Sequence, residues 1–449
     1  MSVADERVVL VAYPVLLDCS CLNGRGWVRH LPSSKSAAYS RRVLLPPILE
    51  VFVVWHPDDE LGEWVAATVA DHFHSAPFAG LAGGAVEVYV RSASWDGAGS
   101  PPRPMPFMEP LPYGLRAPEF TAVVPVVSTH FARAHDDHPA WQRYVDAIAE
   151  AHGRDGVGVY TVVDPDLDLS RTGLMQALSR PQTLPQVDRA DPTALCRELA
   201  QGIAQRVAAP DGTSAERITV FVSHTKHRSL AEDDEDGPRL YDQVRQVIAQ
   251  TRLSDFFDAR DLQTADDWAS VLDDKASTSA LLIVRTDRYA GREWTQREVL
   301  QAKLNGMPAV TLYAMRDGED RGSFLMDHLP AVACNLDDPD PAISAALNRL
   351  VDEALKRALW RAQTVYLIQG GFDWLPAHAP EPVTAAPWLR EHRDKDADDR
   401  HVWIIHPDPP LGPKERDVLV ELCGLAGFDA NVDILTPRTF ASRGGRLRS

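Results

Sequence analysis

The sequence predicts an α/β protein with doubly wound parallel sheets, and two observations support this prediction. Apolar runs such as LEVFVVWHP (49–57) and TAVVPVVS (121–128) are continuous, which is typical of strands buried on both faces of a parallel sheet. These runs alternate with segments whose apolar residues recur at helical spacing, as in residues 60–72. The 449 residues, of which 45% are hydrophobic, provide for about two to four domains with buried cores.

The alternating pattern occurs twice along the chain. The first series has predicted strands at 49–57, 86–92, 121–128 and 157–163, with helices at 60–72 and 141–151, and a connecting helix at 193–208 follows it. The second has predicted strands at 217–224, 255–259, 280–286 and 308–315, with helices at 239–251, 266–277, 294–306 and 341–360. Because VFVVWHP parallels VFVSHTK and TAVVPVVSTHFA parallels ALLIVRTDRYA, we interpret the two series as a degenerate internal repeat.

The pattern divides the chain into four parts. Residues 1–185 form the first α/β domain with an N-terminal extension, 186–215 a linker helix and loop, and 216–362 the second α/β domain. Residues 363–449 form a C-terminal α/β segment with predicted strands at 401–412 and 429–437 around a helix. A closed α/β domain needs more strands than this segment has, so it either docks on the rest of the chain or belongs to a longer protein.

Charge and cysteine usage exclude several classes of protein. Lys and Arg number 46 against 64 Asp and Glu, and a formal net charge of −18 disfavours general binding to nucleic acids or anionic membranes. The five cysteines include no CxxC pair, which argues against a disulfide framework or a zinc ribbon. Acidic Asp5 and Glu6 stand where a signal peptide carries positive charge, and no apolar run approaches about 18 residues. We expect a cytoplasmic protein.

Common catalytic and metal-binding motifs are absent from the sequence. It has no GxxxxGK[ST] phosphate loop, no GxGxxG after a strand, no GxSxG elbow and no HExxH, which disfavours P-loop and serine-hydrolase chemistry. Five side chains of the first series would be metal ligands only if the fold gathered them: His56, Asp58, Asp59, His130 and His138. Their spacing matches no standard site, so no metal is expected.

Four segments of the second series resemble the Toll/interleukin-1 receptor (TIR) domain family. In chain order they are VFVSHT (220–225), FFDARDLQTADDW (256–268), ALLIVRTDRYAGREWTQREV (280–299) and GMPAVTLYAM (306–315). The resemblance covers about 217–360 and implies the flavodoxin-like TIR fold. The first series then resembles a degenerate TIR-like unit. In the second series a glutamate stands four residues after Trp294, whereas in the first series Val145 stands four residues after Trp141.

The resemblance also implies a reaction. The enzymatic branch of the family cleaves the nicotinamide–ribosyl bond of NAD⁺, and its catalytic glutamate lies four residues after a tryptophan, which here designates Glu298 after Trp294. Cleavage develops positive charge on the ribose, and a carboxylate that faces the ribose stabilises it. NAD⁺ is then the substrate, with no cofactor and no metal expected.

Further residues are implied to bind the substrate. They are Phe221, Ser223 and His224 at the end of the first strand, Asp258 and Asp261 in the BB loop, Trp268, Arg285 and Trp294. Trp268 is displaced by one residue from the family's aromatic position. Alternative interpretations are a solvated surface position for Glu298, a turn cap for Ser223, and core packing for Trp268 and Trp294. Arg285 suits either a phosphate or a pair with Asp287.

The resemblance suggests a bacterial immune effector that is activated by self-association through TIR units, with a sensor or trigger protein as a further partner. Two hypotheses from other classes stay open. One is a non-enzymatic TIR scaffold that only mediates association, and the other is a receptor for a nucleotide signal. Neither nucleic acid nor membrane is expected as a partner.

Overall fold

The described part of the structure, a computed structural model, extends from Ile48 to Arg443 with internal gaps. It comprises residues 48–79, 86–108, 117–168, 170, 172–178, 182–184, 188–208, 217–225, 239–256, 279–319, 322–369, 371–393, 401–428 and 431–443. The predicted helix at 266–277 lies outside these residues. Within them the chain has mixed α/β architecture with parallel sheets, as the sequence predicts.

The first sheet has five parallel strands in the order β2-β1-β3-β4-β5. The strands are β1 (Leu49–Val54), β2 (Val86–Arg91), β3 (Phe120–Val127), β4 (Val157–Val163) and β5 (Gln182–Thr183). Its helices are α1 (Glu60–Phe73), α2 (Ala76–Ala79), α3 (Thr129–Asp137), α4 (Pro139–Ala151), α5 (Leu174–Ala177) and α6 (Pro192–Ala208). Helix α1 begins where the sequence predicts it, because Asp59 accepts a hydrogen bond from the N–H of Leu61 at 3.0 Å.

The second sheet has five parallel strands in the order β7-β6-β8-β9-β10. The strands are β6 (Thr219–Ser223), β7 (Ser254–Phe256), β8 (Ser279–Arg285), β9 (Ala309–Tyr313) and β10 (Ala331–Ala333). Its described helices are α7 (Leu240–Ala249), α8 (Glu293–Leu304) and α9 (Asp340–Gln369).

The two sheets repeat one another in strand order and in register. In each, the first strand lies between the second and the third, followed by the fourth and the fifth. Val54 of β1 lies opposite Pro125 of β3. In the second sheet, Ser223 of β6 lies opposite Ile283 of β8. In the aligned segments Ser223 corresponds to Val54 and Ile283 corresponds to Pro125, so the two strand pairs have the same register. The structure therefore has the internal repeat that the sequence predicts.

Alternate residues of each central strand face two different cores. A core shared by the two sheets receives Val51 and Val53 of β1 and Val220 and Val222 of β6. The intervening side chains face outward, under α3 and α4 in the first sheet and under α8 in the second. Helix α6 lies within the predicted linker, yet its apolar face belongs to the shared core and packs against α9. The two sheets are therefore joined through a common apolar layer.

Helices α3 and α9 both differ from the sequence prediction. Helix α3 was not predicted, because its apolar face is short; it begins at Ser128, whose Oγ accepts from the N–H of Phe131 at 3.2 Å. Helix α9 runs nine residues past its predicted end at 360, to Gln369. Buried Gln363 and Leu367 continue its inner face, and Gly371 follows at φ +84°.

The C-terminal segment docks on the second sheet's outer helix. Its two parallel strands are β11 (Val402–Ile405) and β12 (Val432–Leu435), and its helices are α10 (Pro382–Glu391), α11 (Pro413–Leu425) and α12 (Pro437–Ser442). Helix α10 contacts α8, and Lys303 Nζ of α8 lies 2.8 Å from Glu381 Oε1. Across the described residues, every helix is too short or too polar to traverse a bilayer.

Glu50 of β1 makes the stability of the first sheet depend on pH. Burial raises the pKa of Glu50 to about 7, against the opposing effect of Arg91 and with a small contribution from Glu87. A carboxyl with a raised folded-state pKa binds more protons in the folded than in the unfolded chain, so stability falls as pH rises from about 4.5 to about 7.

Replacement of Glu50 by glutamine is expected to remove this fall in stability with rising pH. The free energy of unfolding at pH 8 should rise relative to the parent chain by on the order of 2 kcal/mol, with little change at pH 4.5. Urea denaturation at the two pH values measures it. Glu63→Gln, on the exposed face of α1, is the control. An identical pH dependence in the parent chain and Glu50→Gln would contradict the assignment.

Candidate functional site

The crevice of each sheet is defined as the region beyond the carboxyl ends of its first and third strands, where the strand order reverses. The first and third strands, β6 and β8, are neighbours whose helical connections leave on opposite sides of the sheet, and ligands of doubly wound proteins bind beyond the carboxyl ends of such strands. Thr225 follows β6 and Thr286 follows β8, and their hydroxyl oxygens are 3.0 Å apart. The two strand ends are therefore held together at the edge of the sheet.

A buried polar triad lies at this edge, formed by Ser223, Tyr289 and Glu298. The Ser223 hydroxyl at the end of β6 donates a hydrogen bond to Glu298 Oε2 on α8, and it is also hydrogen-bonded to the Tyr289 hydroxyl. Because a hydroxyl has one proton to donate, the direction of donation runs from Tyr289 to Ser223 to Glu298. All three residues are buried, with Glu298 only 4% exposed. The interpretation of Glu298 as a solvated surface residue is wrong.

Local structure fixes the triad in place. Glu298 lies on the inward face of α8, beside buried Thr295 and Val299. The Thr295 hydroxyl donates to the carbonyl oxygen of Tyr289 at 2.7 Å, which ties the start of α8 to the segment carrying the tyrosine. Burial, and after it the charge of Glu298, raise the pKa of Tyr289 well above its usual value. The tyrosine therefore stays protonated and remains a hydrogen-bond donor at neutral pH.

The first sheet has apolar side chains at the three corresponding positions. The aligned sequences and the shared register place Val54 where the second sheet has Ser223, and Phe131 where it has Tyr289. Val145 of α4 corresponds to Glu298. All three apolar residues are buried in the outer core of the first sheet. This architecture therefore forms without the triad.

Arg285 does not bind in either of the two ways considered from the sequence. Its Nε and Nη2 donate to Glu319 at 3.0 and 2.6 Å, and its Nη1 donates to Asp327 at 2.9 Å. These hydrogen bonds raise the pKa of Arg285. Asp287 instead accepts from backbone N–H groups, including that of Gly318 at 2.9 Å. Two carboxylates occupy the guanidinium group, so an expected role in phosphate binding has no support here.

The other predicted substrate-binding residues lie at different depths. Phe221 is 2% exposed and packs in the outer core with Leu281, because it precedes Ser223 by two residues on the same face of β6. Its side chain belongs to the outer core of the second sheet. His224 lies at the crevice with its ring stacked on Tyr241, the centroids 3.8 Å apart. Trp294 is half-buried at the start of α8. Asp258, Asp261 and Trp268 lie outside the described residues.

Tyr289 is the member of the triad that the sequence analysis missed. It sits four residues after the end of β8, within the segment TDRYA that aligns with STHFA of the first series. The signal was a single hydroxyl group, present in Tyr289 and absent from Phe131. Such a difference becomes informative only when the partner, Ser223, is known to lie beside it.

The first sheet's crevice gathers three of the five residues considered as metal ligands. One potential ligand atom from each of His56, Asp58 and His130 lies within 4.8 Å of the others. Asp59 instead caps α1, and His138 precedes α4. The fold thus meets, for three residues, the condition under which they would act as ligands.

Comparison with known proteins provides no relative for this chain. No protein family matches it, and searches of curated proteins and of solved structures find no match. The internal repeat is therefore the comparison that informs the site.

Proposed function

We propose that the chain is an NAD⁺ glycohydrolase of the TIR type, with Glu298 as the catalytic carboxylate. The observation that carries the proposal is the polar triad at the crevice of the second sheet. A buried carboxylate and its hydrogen-bonded hydroxyls cost free energy relative to apolar residues. Since Val54, Phe131 and Val145 fill the same positions in the first sheet, the fold gives no reason to retain the triad, and a chemical role does.

The proposed reaction breaks the bond between C1′ of the ribose and the nicotinamide ring nitrogen. The electron pair of that bond moves to the nitrogen, so the positively charged pyridinium leaves as neutral nicotinamide. The positive charge passes to the ribosyl group, where the Glu298 carboxylate stabilises it. Water adds to C1′ and loses a proton to solvent, which gives ADP-ribose. Attack by an adenine nitrogen in place of water would give a cyclic product.

Ser223 and Tyr289 are positioning residues in this proposal. The Ser223 hydroxyl donates to Glu298 Oε2, which is the interaction that a ribose hydroxyl makes with a carboxylate. A carboxylate accepts several hydrogen bonds, so a ribose hydroxyl would donate to Glu298 while Ser223 continues to hold the carboxylate in orientation. Tyr289 holds Ser223 in line for that contact.

Regulation by assembly is part of the same proposal. An enzyme that consumes NAD⁺ is toxic to its own cell, which favours a low resting activity and activation when TIR units associate. The first sheet, which has Val145 in place of the carboxylate, then contributes to docking or recognition. The scaffold hypothesis differs in one measurable respect, because it requires no turnover of NAD⁺ by any assembly.

The test compares Glu298→Gln with Glu293→Gln in the full chain. Glutamine has the shape of glutamate and still accepts from Ser223, whereas Glu293 lies on the same helix with its side chain 77% exposed, paired with Arg297. Incubation with NAD⁺ at low and high protein concentration, followed by chromatography, measures nicotinamide release. We expect release by the parent chain and by Glu293→Gln, and a decrease of at least about 100-fold in Glu298→Gln.

Equal release by both variants would contradict the catalytic role of Glu298. Release that rises more steeply than protein concentration would support activation by assembly. No release by any of the three proteins at the highest concentration would favour the scaffold.

A further inference from the structure

The crevice of the first sheet brings together two imidazoles and a carboxylate. His56 follows β1 by two residues, and His130 lies in the first turn of α3, directly after β3. Asp58 shares the loop of His56, with its Oδ2 3.7 Å from His56 Nδ1. Because β1 and β3 are neighbours, both histidines project from adjacent strand ends. The three ligand atoms thus lie within 4.8 Å of one another at the point where strand order reverses.

We propose that His56, Asp58 and His130 form a binding site for a divalent transition metal such as Zn²⁺. Neutral imidazole and carboxylate are the ligands that Zn²⁺ and its neighbours take in proteins, whereas Mg²⁺ and Ca²⁺ prefer oxygen alone. Bonds of about 2.0–2.1 Å in tetrahedral geometry place ligand atoms roughly 3.3 Å apart. The present separations are at most 4.8 Å, and three protein ligands leave a fourth position for water or a ligand.

The surroundings of His56 favour this role. Its ring is stacked on the ring of His130, with centroids 5.7 Å apart, and its centroid lies 5.6 Å from that of the Trp141 ring. Trp141 is fully buried, and its Nε1 donates to the carbonyl oxygen of Gly99 at 3.0 Å, so one wall of the site is fixed by the core. The backbone N–H of Asp58 donates to His56 Nδ1 at 3.3 Å, a contact that a metal ion bound at Nδ1 would replace.

This site is independent of the proposed glycohydrolase. It lies in the unit that has no counterpart of Glu298, and its occupation requires neither NAD⁺ nor turnover. The repeat has thus placed different chemistry at the same edge of its two sheets. A carboxylate hydrogen-bonded beneath the crevice is present in the second sheet, and exposed nitrogen and oxygen ligands are present in the first.

The test measures metal binding directly in the full chain. The protein is stripped with a chelator, dialysed and titrated with Zn²⁺ by calorimetry and with Co²⁺ by visible absorption. Asp58→Asn and His130→Ala remove one ligand each, and both side chains are exposed, so neither change disturbs a core. His74→Ala, at the exposed end of α1, removes an imidazole elsewhere and is the control.

We expect the parent chain and His74→Ala to bind about one equivalent of Zn²⁺ that both ligand variants lose, with affinity reduced at least about tenfold. The Co²⁺ complex should show the intense visible bands of four-coordination, and excess Mg²⁺ should not displace it. Zinc bound elsewhere on the chain remains in all four proteins and cancels in the comparison. Identical isotherms for the parent chain, Asp58→Asn and His130→Ala would overturn the proposal, as would no Zn²⁺ binding by the parent chain.

Discussion

The triple variant Ser223→Val, Tyr289→Phe, Glu298→Val is expected to lose nicotinamide release completely and to unfold at or above the temperature of the parent chain. It copies into the second sheet the residues that occupy these positions in the first. Replacing hydrogen-bonded buried polar groups together by apolar groups of similar shape is close to neutral or stabilising. Loss of activity with retained stability is the signature of residues kept for chemistry.

The single variant Glu298→Val is the matched control for this result. It removes the acceptor of Ser223 and leaves two buried hydroxyls without their terminal partner, which should lower the free energy of unfolding by about 1–3 kcal/mol. The triple variant should therefore be more stable than the single one, a non-additivity that thermal and urea unfolding measure. A triple variant as unstable as the single variant would show that the triad has a structural role.

Arg285→Met is expected to lower the free energy of unfolding by about 3–5 kcal/mol, the cost of leaving a buried charge without its partner. The Arg285 side chain is 5% exposed and that of Glu319 is 7% exposed, so little water reaches either group. Asp327, which is 48% exposed, can be solvated when the guanidinium is removed. Urea unfolding followed by circular dichroism measures the change.

Two further variants identify the origin of this loss. Arg297→Met breaks an exposed pair on α8, in which the side chains are 56% and 77% exposed, and should cost less than about 1 kcal/mol. Adding Glu319→Gln to Arg285→Met removes the uncompensated charge and should recover part of the stability. A loss for Arg285→Met no larger than that for Arg297→Met would refute the buried-pair interpretation.

Much of the secondary structure could be predicted because it depends on local patterns. Continuous apolar strands and amphipathic helices can be recognised from the pattern of a few neighbouring residues. Asp59 indicates the start of α1 in the same local way, because its side chain caps the helix. Helix α3 was not predicted because its buried face is only a few residues long. The end of α9 was placed too early because polar Gln363 interrupts an apolar pattern that resumes at Leu367.

The contacts of the candidate site were less accessible to sequence reasoning. The family resemblance designated Glu298, four residues after Trp294, but its hydrogen bond to Ser223 joins residues far apart in the chain. The partners of Arg285 lie 34 and 42 residues away, so the nearer Asp287 seemed equally suitable. His56 and His130 fit no metal motif because strand adjacency, rather than spacing, brings them together.

The apolar layer between the two sheets has a consequence for how the chain is organised. Side chains of α1 and α6 from one repeat and of α7 and α9 from the other belong to one continuous core. A cut between the repeats would expose that whole layer to water, at about 25 cal/mol for each Å² of apolar surface. The two similar halves therefore fold as one unit, and neither half is thermodynamically independent of the other.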